Sequence, residues 1–397
     1  MKKLVQFGAG NIGRSFIGQL FSRAGWEVVF VDVDPVIIRA LNEKREFIVE
    51  IRDERPEKIR ISNVRGIDGN DSDRVAGEIA EADCLGSAVG KNALEKIIPN
   101  LAQGLMRRYQ KFGNRIIDLI ICENILDGAQ FIRERLLPLL PNGFPLDQIL
   151  GLVETSIGKM VPIMSAEDRQ RDPLLVYAEA YNTLILDKKG FKGEIPAVAG
   201  LAPKENMKAY VERKSFIHNL GHAMTAYLEF VRNKGYTYTW EAMADADIRK
   251  TAKLAMWESG RALIEAYPDE FNEQNQEEHI ENLLKRFANR HLGDTIFRVG
   301  RDIQRKLSYD DRLIGAMRFA LAHGVEPVIT AMGAAAACFF KKTDEAGALF
   351  PGDAEFHATI FPKGVDYILS AVCGLTGKDA TETQIISLIK SRFYRFA

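Results

Sequence analysis

The chain opens with KKLVQFGAGNIGRSFIGQL at residues 2–20, and this stretch decides the fold of the first half. The apolar run KLVQF predicts a buried strand, and apolar residues recur at helical spacing after it. Between the two lie Gly8, Gly10 and Gly13, which form a G-x-G-x-x-G turn. A second apolar segment, EVVFVD, predicts a neighbouring strand that ends at Asp32. The order strand, glycine turn, helix, strand and acid is typical of a dinucleotide-binding unit.

Each glycine of the turn has a physical role in binding a dinucleotide. The first permits the tight turn, the second lets the backbone approach a pyrophosphate, and the third lets the helix pack on the strand. The helix N-terminus offers N–H groups and a partial positive charge to the phosphates. A carboxylate at Asp32 would accept hydrogen bonds from the ribose hydroxyls and repel a 2′-phosphate, so NAD is favoured over NADP. The alternative is a glycine-rich turn in another kind of α/β domain.

Four more segments predict strands: EADCLGSAVG, RIIDLIICENILDG, ILGLVETSIG and LLVYAEAYNTLILD. Ligands of open parallel sheets bind at the carboxyl ends of the strands, which makes Ser87, Asn124 and Glu154 candidates. Each could instead finish a strand or cap a helix. The candidate cofactor-binding residues are Gly8, Ala9, Gly10, Asn11, Ile12, Gly13, Asp32, Ser87, Ala88 and Val89.

The chain changes character near residue 190. The segment KKGFKGEIPAVAGLAPKEN is rich in glycine, proline and lysine and predicts a linker, and long helical patterns follow it. We therefore expect an N-terminal Rossmann-type, doubly wound α/β sheet over residues 1–190. A mostly α-helical substrate-binding and catalytic domain is expected over residues 191–397. The active site is expected in the crevice between the two domains.

Composition limits the class of protein. The chain has 397 residues, of which 46% are hydrophobic and 27% charged, and its formal net charge is −1. It therefore lacks the basic excess that favours nucleic acid or an acidic membrane as a partner. Four scattered cysteines form no CxxC pair, and no apolar run reaches the roughly 20 residues of a membrane helix. These features predict a cytoplasmic protein acting on a small molecule, and the absence of a heptad pattern favours a monomer.

A second stretch, KSFIHNLGH, gathers Lys214, His218, Asn219 and His222. On a helix that advances about 100° per residue, these side chains fall within about 140° of arc. Three interpretations compete. The two histidines have the spacing of the zinc motif H-E-x-x-H, although Asn219 replaces its glutamate and no third ligand is visible. The residues could also form an exposed polar helix face, or they could transfer protons beside a nicotinamide.

The chemistry of alcohol oxidation suits the third interpretation. A hydride leaves carbon for NAD while a proton leaves oxygen for a base. A partly desolvated lysine has a pKa lowered towards neutrality and can act as that base. An asparagine amide can donate to the developing alkoxide, and a histidine can orient the substrate oxygen. No metal is then required.

The pattern K-x4-N-x2-H, formed by Lys214, Asn219 and His222, resembles the signature of the polyol-specific long-chain dehydrogenases. The segments CENILDGAQ and RFANRHLGDTIFRVGRD are similar to two further segments of that family. The resemblance implies that Lys214 is the general acid/base, that Asn219 and Asn124 donate to the substrate oxygen, and that His222 orients the substrate. His218 lies outside the family pattern and is expected to be structural.

The segment RVGRDIQRKLSYDDRL is similar to one found in family members that use phosphorylated substrates. If it is one helix, three arginines fall within about 60° of arc, and a lysine lies to the side. Such a stripe would suit a phosphate monoester. The alternative is a solvated face on which these cations pair with Asp294 and Asp302. The candidate phosphate-binding residues are Arg298, Arg301, Arg305 and Lys306.

The expected reaction is the reversible, NAD-dependent oxidation of D-mannitol 1-phosphate to D-fructose 6-phosphate without a metal. An enzyme of the same family that uses free mannitol or a hexuronate is the first alternative. A non-catalytic NAD-binding regulator is the second.

Overall fold

The computed structural model describes residues 1–125, 127–162, 164 and 166–397. It divides into two compact units, Met1–Met207 and Lys208–Ala397. No helix among these residues is both long and apolar enough to cross a bilayer.

The first unit is built on β-strands that are mostly short and buried. In its described part they are β1 (Lys3–Phe7), β2 (Glu27–Asp32), β3 (Phe47–Ile51), β4 (Glu57–Ile61), β5 (Val64–Asp68), β6 (Cys84–Ser87), β7 (Ile117–Ile121), β8 (Leu150–Ser156), β9 (Val176–Ala178), β10 (Leu184–Asp187) and β11 (Leu201–Lys204). Eight of them form one sheet in the order β11-β10-β8-β7-β6-β1-β2-β5. All neighbours in this sheet are parallel except β10 and β8. The run from β5 to β8 has the strand order of a dinucleotide-binding fold.

Helices cover both faces of this sheet. The helices of the described part of this unit are α1 (Gln19–Arg23), α2 (Pro35–Lys44), α3 (Ser72–Glu81), α4 (Lys91–Phe112), α5 (Gly128–Leu136), α6 (Leu146–Ile149) and α7 (Ala166–Arg171). Successive residues of β2 alternate between two apolar cores: Val28 and Phe30 enter one, and Val29 and Val31 enter the other. This alternation is the period-2 pattern of a strand that is buried on both faces.

A second, three-stranded sheet has the order β4-β3-β9. Sequence analysis missed β3, β4 and β5, and it took LLVYAEAYNTLILD as one strand, whereas β9 and β10 belong to different sheets. The predicted linker also returns to the large sheet, because Leu201–Lys204 pairs in parallel with β10. Pairing partners decide these elements, and a polar strand such as EKIRI carries little local signal for them.

The second unit is helical. From the helix that begins at Met207 onward, the helices are α8 (Met207–Arg213), α9 (Leu220–Val231), α10 (Thr239–Ala244), α11 (Ala246–Ala266), α12 (Glu273–Phe287), α13 (Ile296–Gly300), α14 (Ile303–Lys306), α15 (Ile314–Ala322), α16 (Val328–Ala337), α17 (Pro351–Glu355), α18 (Val365–Ala371) and α19 (Ala380–Phe393). The predicted fold class, a doubly wound sheet followed by a mostly helical domain, is confirmed.

Both stretches singled out in the sequence contain π-helix. Residues Gly13–Gly18 form a π-helical turn that continues into α1, and Lys214–Asn219 form another between α8 and α9. Turns with i→i+5 hydrogen bonds are rare in proteins and are frequently found at functional sites.

Candidate active site

The glycine turn is shaped by close backbone approach. Gly8 has φ +90°, and a Cβ there would lie 2.4 Å from the carbonyl oxygen of Ala88. A Cβ on Gly13 would lie 2.0 Å from the carbonyl oxygen of Gly8. A Cβ on Gly10 would meet no atom within 4 Å among the described residues. The outer glycines are therefore required by packing, whereas the middle one faces open space of the kind that a pyrophosphate would occupy.

Asp32 joins this turn at the carboxyl end of β2. Its Oδ2 accepts a hydrogen bond from the Ala9 amide at 2.6 Å, and its Oδ1 accepts from Val33 and Asp34 at 2.8 and 3.0 Å. The carboxylate is thus held beside the glycine turn, where a ribose would lie. The dinucleotide predicted from the sequence, NAD, fits these residues.

Replacing Asp32 with alanine is expected to weaken NAD binding and to reduce discrimination against NADP. The substitution removes the acceptor of the ribose hydroxyls together with the charge that repels a 2′-phosphate. The ratio of kcat/KM values for NAD and NADP should fall by about tenfold or more, since a lost charged hydrogen bond is worth about 1.5–3 kcal/mol. An unchanged ratio would show that Asp32 does not contact the ribose.

The loop after β6 packs against the same turn. Ala88 and Val89 lie against Gly8, and the amides of Val89 and Gly90 both donate to the Glu123 carboxylate at 2.8 Å. Glu123 is buried, which raises its pKa, and these two donors oppose the rise. Glu123 therefore orders the start of α4, a structural contribution that sequence analysis missed.

Two polar residues near the carboxyl ends of β7 and β8 differ in their surroundings. Asn124 is exposed and lies just beyond β7, at the same edge of the sheet as the glycine turn. Glu154 accepts a hydrogen bond from the Ala129 amide at 3.0 Å and so caps α5. The capping interpretation therefore accounts for Glu154, and the role of Asn124 as a donor to the substrate oxygen stays a prediction.

The second unit contributes Lys214 and Asn219 from one π-helical turn. The amide of Leu220 donates to the carbonyl of Ser215, five residues earlier. In a turn of this kind residues i and i+5 lie nearly above one another, so Lys214 and Asn219 share a face more closely than α-helical spacing predicts. The assumption of a continuous α-helix through this stretch was wrong, because the turn is π-helical.

Lys214 has the pKa of an acid/base catalyst. Burial, followed by the nearby positive charge of Arg312, lowers its pKa to about 8, and Asp311 opposes the shift. Part of the side chain remains accessible to solvent. A lysine with a pKa of about 8 can both accept and release a proton near neutral pH.

His222 is neutral and available to orient a ligand. Burial, followed by the charges of Arg298, Lys306 and Arg312, lowers its pKa to about 3. Its ring stacks on Phe287 with centroids 4.7 Å apart and planes inclined by 2°. Its buried Nε2 has no hydrogen-bond partner among the described residues, since Asp294 Oδ2 is 3.6 Å away. A substrate hydroxyl could satisfy this nitrogen.

His218 packs within the same unit. Its ring lies 5.6 Å from that of Phe287 and 6.3 Å from that of His222. Burial lowers its pKa well below the ordinary value. These contacts support the predicted structural role. Among the described residues, no group of three or more His, Cys, Asp or Glu side chains is placed to hold a metal ion.

The predicted arginine stripe does not exist as one helix. Helix α13 ends at Gly300, Asp302 has φ +70°, and α14 begins at Ile303. Arg298 pairs with Asp294, and Arg305 pairs with Asp302 and Asp311, as the solvated-face alternative predicts. The helical arithmetic was wrong because the backbone breaks between these residues.

The four predicted cations have different surroundings. Arg301 lies over the rings of Phe297 and Phe350, at 5.7 and 5.4 Å. Lys306 is buried and donates to the carbonyl oxygens of Val299 and Arg301. Burial, followed by the charges of Arg312 and Arg305, lowers the pKa of Lys306 to about 7.

Arg312 is the functional candidate that sequence analysis missed. Its charge lowers the pKa of Lys214, of His222 and of Lys306, and its Nε donates to Asp311 at 2.7 Å. The available signal was the Asp-Asp-Arg run that follows the predicted stripe. We name as the cationic cluster the side chains linked by these electrostatic interactions: Arg286, Arg298, Arg305, Lys306 and Arg312.

Comparisons with known proteins identify the family of the chain. The family model described as the mannitol dehydrogenase Rossmann domain matches residues 2–200, and that of the mannitol dehydrogenase C-terminal domain matches residues 206–364. The chain belongs to the mannitol dehydrogenase family. The resemblance to polyol dehydrogenases inferred from the sequence is thereby confirmed at the level of the family, which is one of oxidoreductases.

Two solved structures show the mannitol dehydrogenase fold over nearly the whole chain. Pseudomonas fluorescens mannitol 2-dehydrogenase, in a ternary complex with NAD and D-mannitol, is 16% identical, with a TM-score of 0.72. That match covers 99% of this chain and 91% of the other. A D-sorbitol dehydrogenase in substrate-free form is also 16% identical, with a TM-score of 0.76 over 98% of this chain and 92% of the other.

Proposed function

We propose that the protein is a mannitol-1-phosphate 5-dehydrogenase, which reversibly oxidises D-mannitol 1-phosphate to D-fructose 6-phosphate with NAD. The observation that carries the proposal is the cationic cluster around Lys214 and His222. The charges of Arg286, Arg298, Lys306 and Arg312 all act on His222, and Arg312 also acts on Lys214. In a chain whose net charge is −1, this grouping of cationic side chains supports an anionic substrate.

Residues of the second unit supply the proton chemistry. Bound NAD provides the acceptor for the hydride that leaves the polyol carbon. The neutral amine of Lys214 takes the hydroxyl proton, and in the reverse direction its ammonium form returns a proton to the ketose oxygen. The Asn219 amide donates to the same oxygen and stabilises developing negative charge. His222 orients the substrate through its uncharged ring and does not exchange the proton, because its pKa of about 3 keeps it deprotonated.

Arg312 and Lys306 are the cations that we assign to the phosphate. Both act electrostatically on His222, and the Lys306 ammonium donates to the carbonyl oxygens of Val299 and Arg301. A guanidinium can bind phosphate oxygens through two parallel N–H donors. A bound phosphate dianion would also stabilise the charged form of Lys306, whose pKa is about 7 without it.

A free polyol is the second candidate substrate. The ion pairs of Arg298 with Asp294 and of Arg305 with Asp302 already compensate part of the positive charge. A hexuronate is a third candidate, since its carboxylate would use the same cations. The two similar structures are enzymes whose names refer to mannitol and sorbitol without a phosphate.

A steady-state panel with NADH tests the proposal. Fructose 6-phosphate, fructose, fructuronate and tagaturonate would be compared as substrates, with and without exhaustive chelation of metals. We expect kcat/KM to be highest for fructose 6-phosphate and to survive chelation. Equal kcat/KM for fructose and fructose 6-phosphate would overturn the phosphate assignment, and loss of activity on chelation would overturn the metal-free mechanism.

A matched pair of variants sharpens the panel. Arg312→Gln should raise KM for fructose 6-phosphate by about tenfold or more, as expected for a lost charge-assisted hydrogen bond, and should affect fructose less. Arg318→Gln is the control, because Arg318 pairs with the exposed carboxylate of Asp310 and lies over Tyr309. Equal changes in KM for the two sugars in Arg312→Gln would contradict the assignment.

A further inference from the structure

A buried arginine stands directly behind the glycine turn. Arg14 follows Gly13 in the sequence and is 4% exposed. Its Nε donates to the carbonyl oxygen of Ala9 at 2.6 Å, and its Nη1 donates to the carbonyl oxygen of Pro173 at 3.1 Å. Burial lowers its pKa to about 10, still far above neutrality, so the group stays charged. A buried cation that donates to backbone carbonyls requires an explanation, because its desolvation is costly.

The Ala9 residue is held from both sides by these interactions. Its N–H donates to Asp32 Oδ2 at 2.6 Å, and its C=O accepts from Arg14. In a planar trans peptide the C=O of one residue and the N–H of the next point in opposite directions. Because the Ala9 carbonyl points to Arg14, the Gly10 N–H points away from it.

The Gly8 peptide is oriented in the same way. The Ala9 N–H faces Asp32. The Gly8 carbonyl oxygen packs so closely against Gly13 that a Cβ on Gly13 would be only 2.0 Å from it. The peptides on both sides of Ala9 are therefore fixed before a ligand arrives. Gly10 itself is exposed, with open space where a Cβ would stand.

We propose that Arg14 is a positioning residue for the coenzyme: by holding the Ala9 carbonyl it aims the Gly10 N–H at the pyrophosphate of NAD. Arg14 is too deeply buried to bind the phosphates directly. Asp32, Asp172 and Asp34 stabilise its charge electrostatically. The interaction with Asp32 also links the carboxylate expected to bind the ribose to the turn. Ordering the turn in advance reduces the entropy lost on binding, which raises affinity for NAD. This inference rests on the proposed use of NAD.

The test compares Arg14→Met and Arg14→Lys with the wild-type protein. Dissociation constants for NADH are measured by fluorescence titration, together with kcat, the KM values for NAD and sugar, and the melting temperature. Arg14→Met should raise the Kd for NADH by about tenfold or more, in line with a lost charged hydrogen bond. Arg14→Lys, which keeps a charged donor, should show a smaller increase. The KM for sugar and kcat at saturating NAD should change by less than about threefold.

Arg23→Met is the matched control, because Arg23 is an exposed arginine on α1, the helix that continues from Arg14. It should leave the Kd for NADH unchanged. If wild-type protein fails to bind NADH, the proposed function fails. If it binds NADH and either folded Arg14 variant binds equally well, the positioning role is refuted. Equal changes in the Kd for NADH and the KM for sugar would also refute it, since they would indicate a general structural effect.

Discussion

Replacing Lys214 with alanine is expected to lower kcat for polyol oxidation by about 10²–10⁴-fold, the contribution typical of a positioned general base. The amine is lost, whereas the glycine turn and Asp32, which belong to the first unit, are untouched. NADH should therefore bind with nearly unchanged affinity. Steady-state kinetics and fluorescence titration on the same preparation would measure both quantities.

The control for this variant is Lys208→Ala. Lys208 lies on α8, its side chain is 75% exposed, and its nearest carboxylate, Glu212, is 3.9 Å away. Its removal should leave kcat unchanged. A protein that binds NADH but turns over no polyol, and in which Lys214→Ala changes nothing, would be the NAD-binding regulator and not an enzyme.

Substitutions within the glycine turn should separate folding from coenzyme binding. Gly10→Ala is expected to leave the melting temperature nearly unchanged, since its methyl group would project into open space. That methyl group would collide with the pyrophosphate, and the Kd for NADH should rise by about 10–100-fold, as for overpacking worth about 1–3 kcal/mol. Titration with NADH and thermal unfolding measure the two effects independently.

Gly13→Ala should instead destabilise the fold. Its Cβ would stand 2.0 Å from a backbone carbonyl oxygen, which cannot move without distorting the turn. We expect a loss of about 3 kcal/mol or more in the free energy of unfolding. Gly77→Ala, on α3, is the control, because its nearest neighbour would be Arg107 Nη1 at 3.9 Å. For the first variant, normal binding of NADH by Gly10→Ala would mean that the pyrophosphate does not approach Gly10.

The sequence predicts the nucleotide-binding half well because its signals are local. The glycines, the first helix and Asp32 lie within 25 residues, and each has a backbone role that only that residue type fulfils. The burial of Arg14 was missed because an arginine in an amphipathic pattern is normally expected at the surface. Only the folded turn shows that it is buried. Strands β3, β4 and β5 were missed because pairing with other strands decides them.

In the helical half, the helical geometry assumed from the sequence was wrong at two places. Lys214, Asn219 and His222 were identified from their pattern, but uniform α-helical rotation misplaced them, because the turn is π-helical. The same arithmetic joined Arg298 and Arg305 across a break at Asp302. Periodicity cannot reveal an inserted residue or a residue with positive φ, since both depend on packing around the helix.

The pH dependence of kcat/KM in both directions tests most directly whether Lys214 is the acid/base catalyst. Oxidation requires the neutral amine, so its rate should rise as pH increases through about 8 and then level off. Reduction requires the ammonium form and should fall through the same pKa. In Lys214→Ala this ionisation should vanish from both profiles. If the variant kept the ionisation near 8, another group would carry the proton, and the assignment of Lys214 would be wrong.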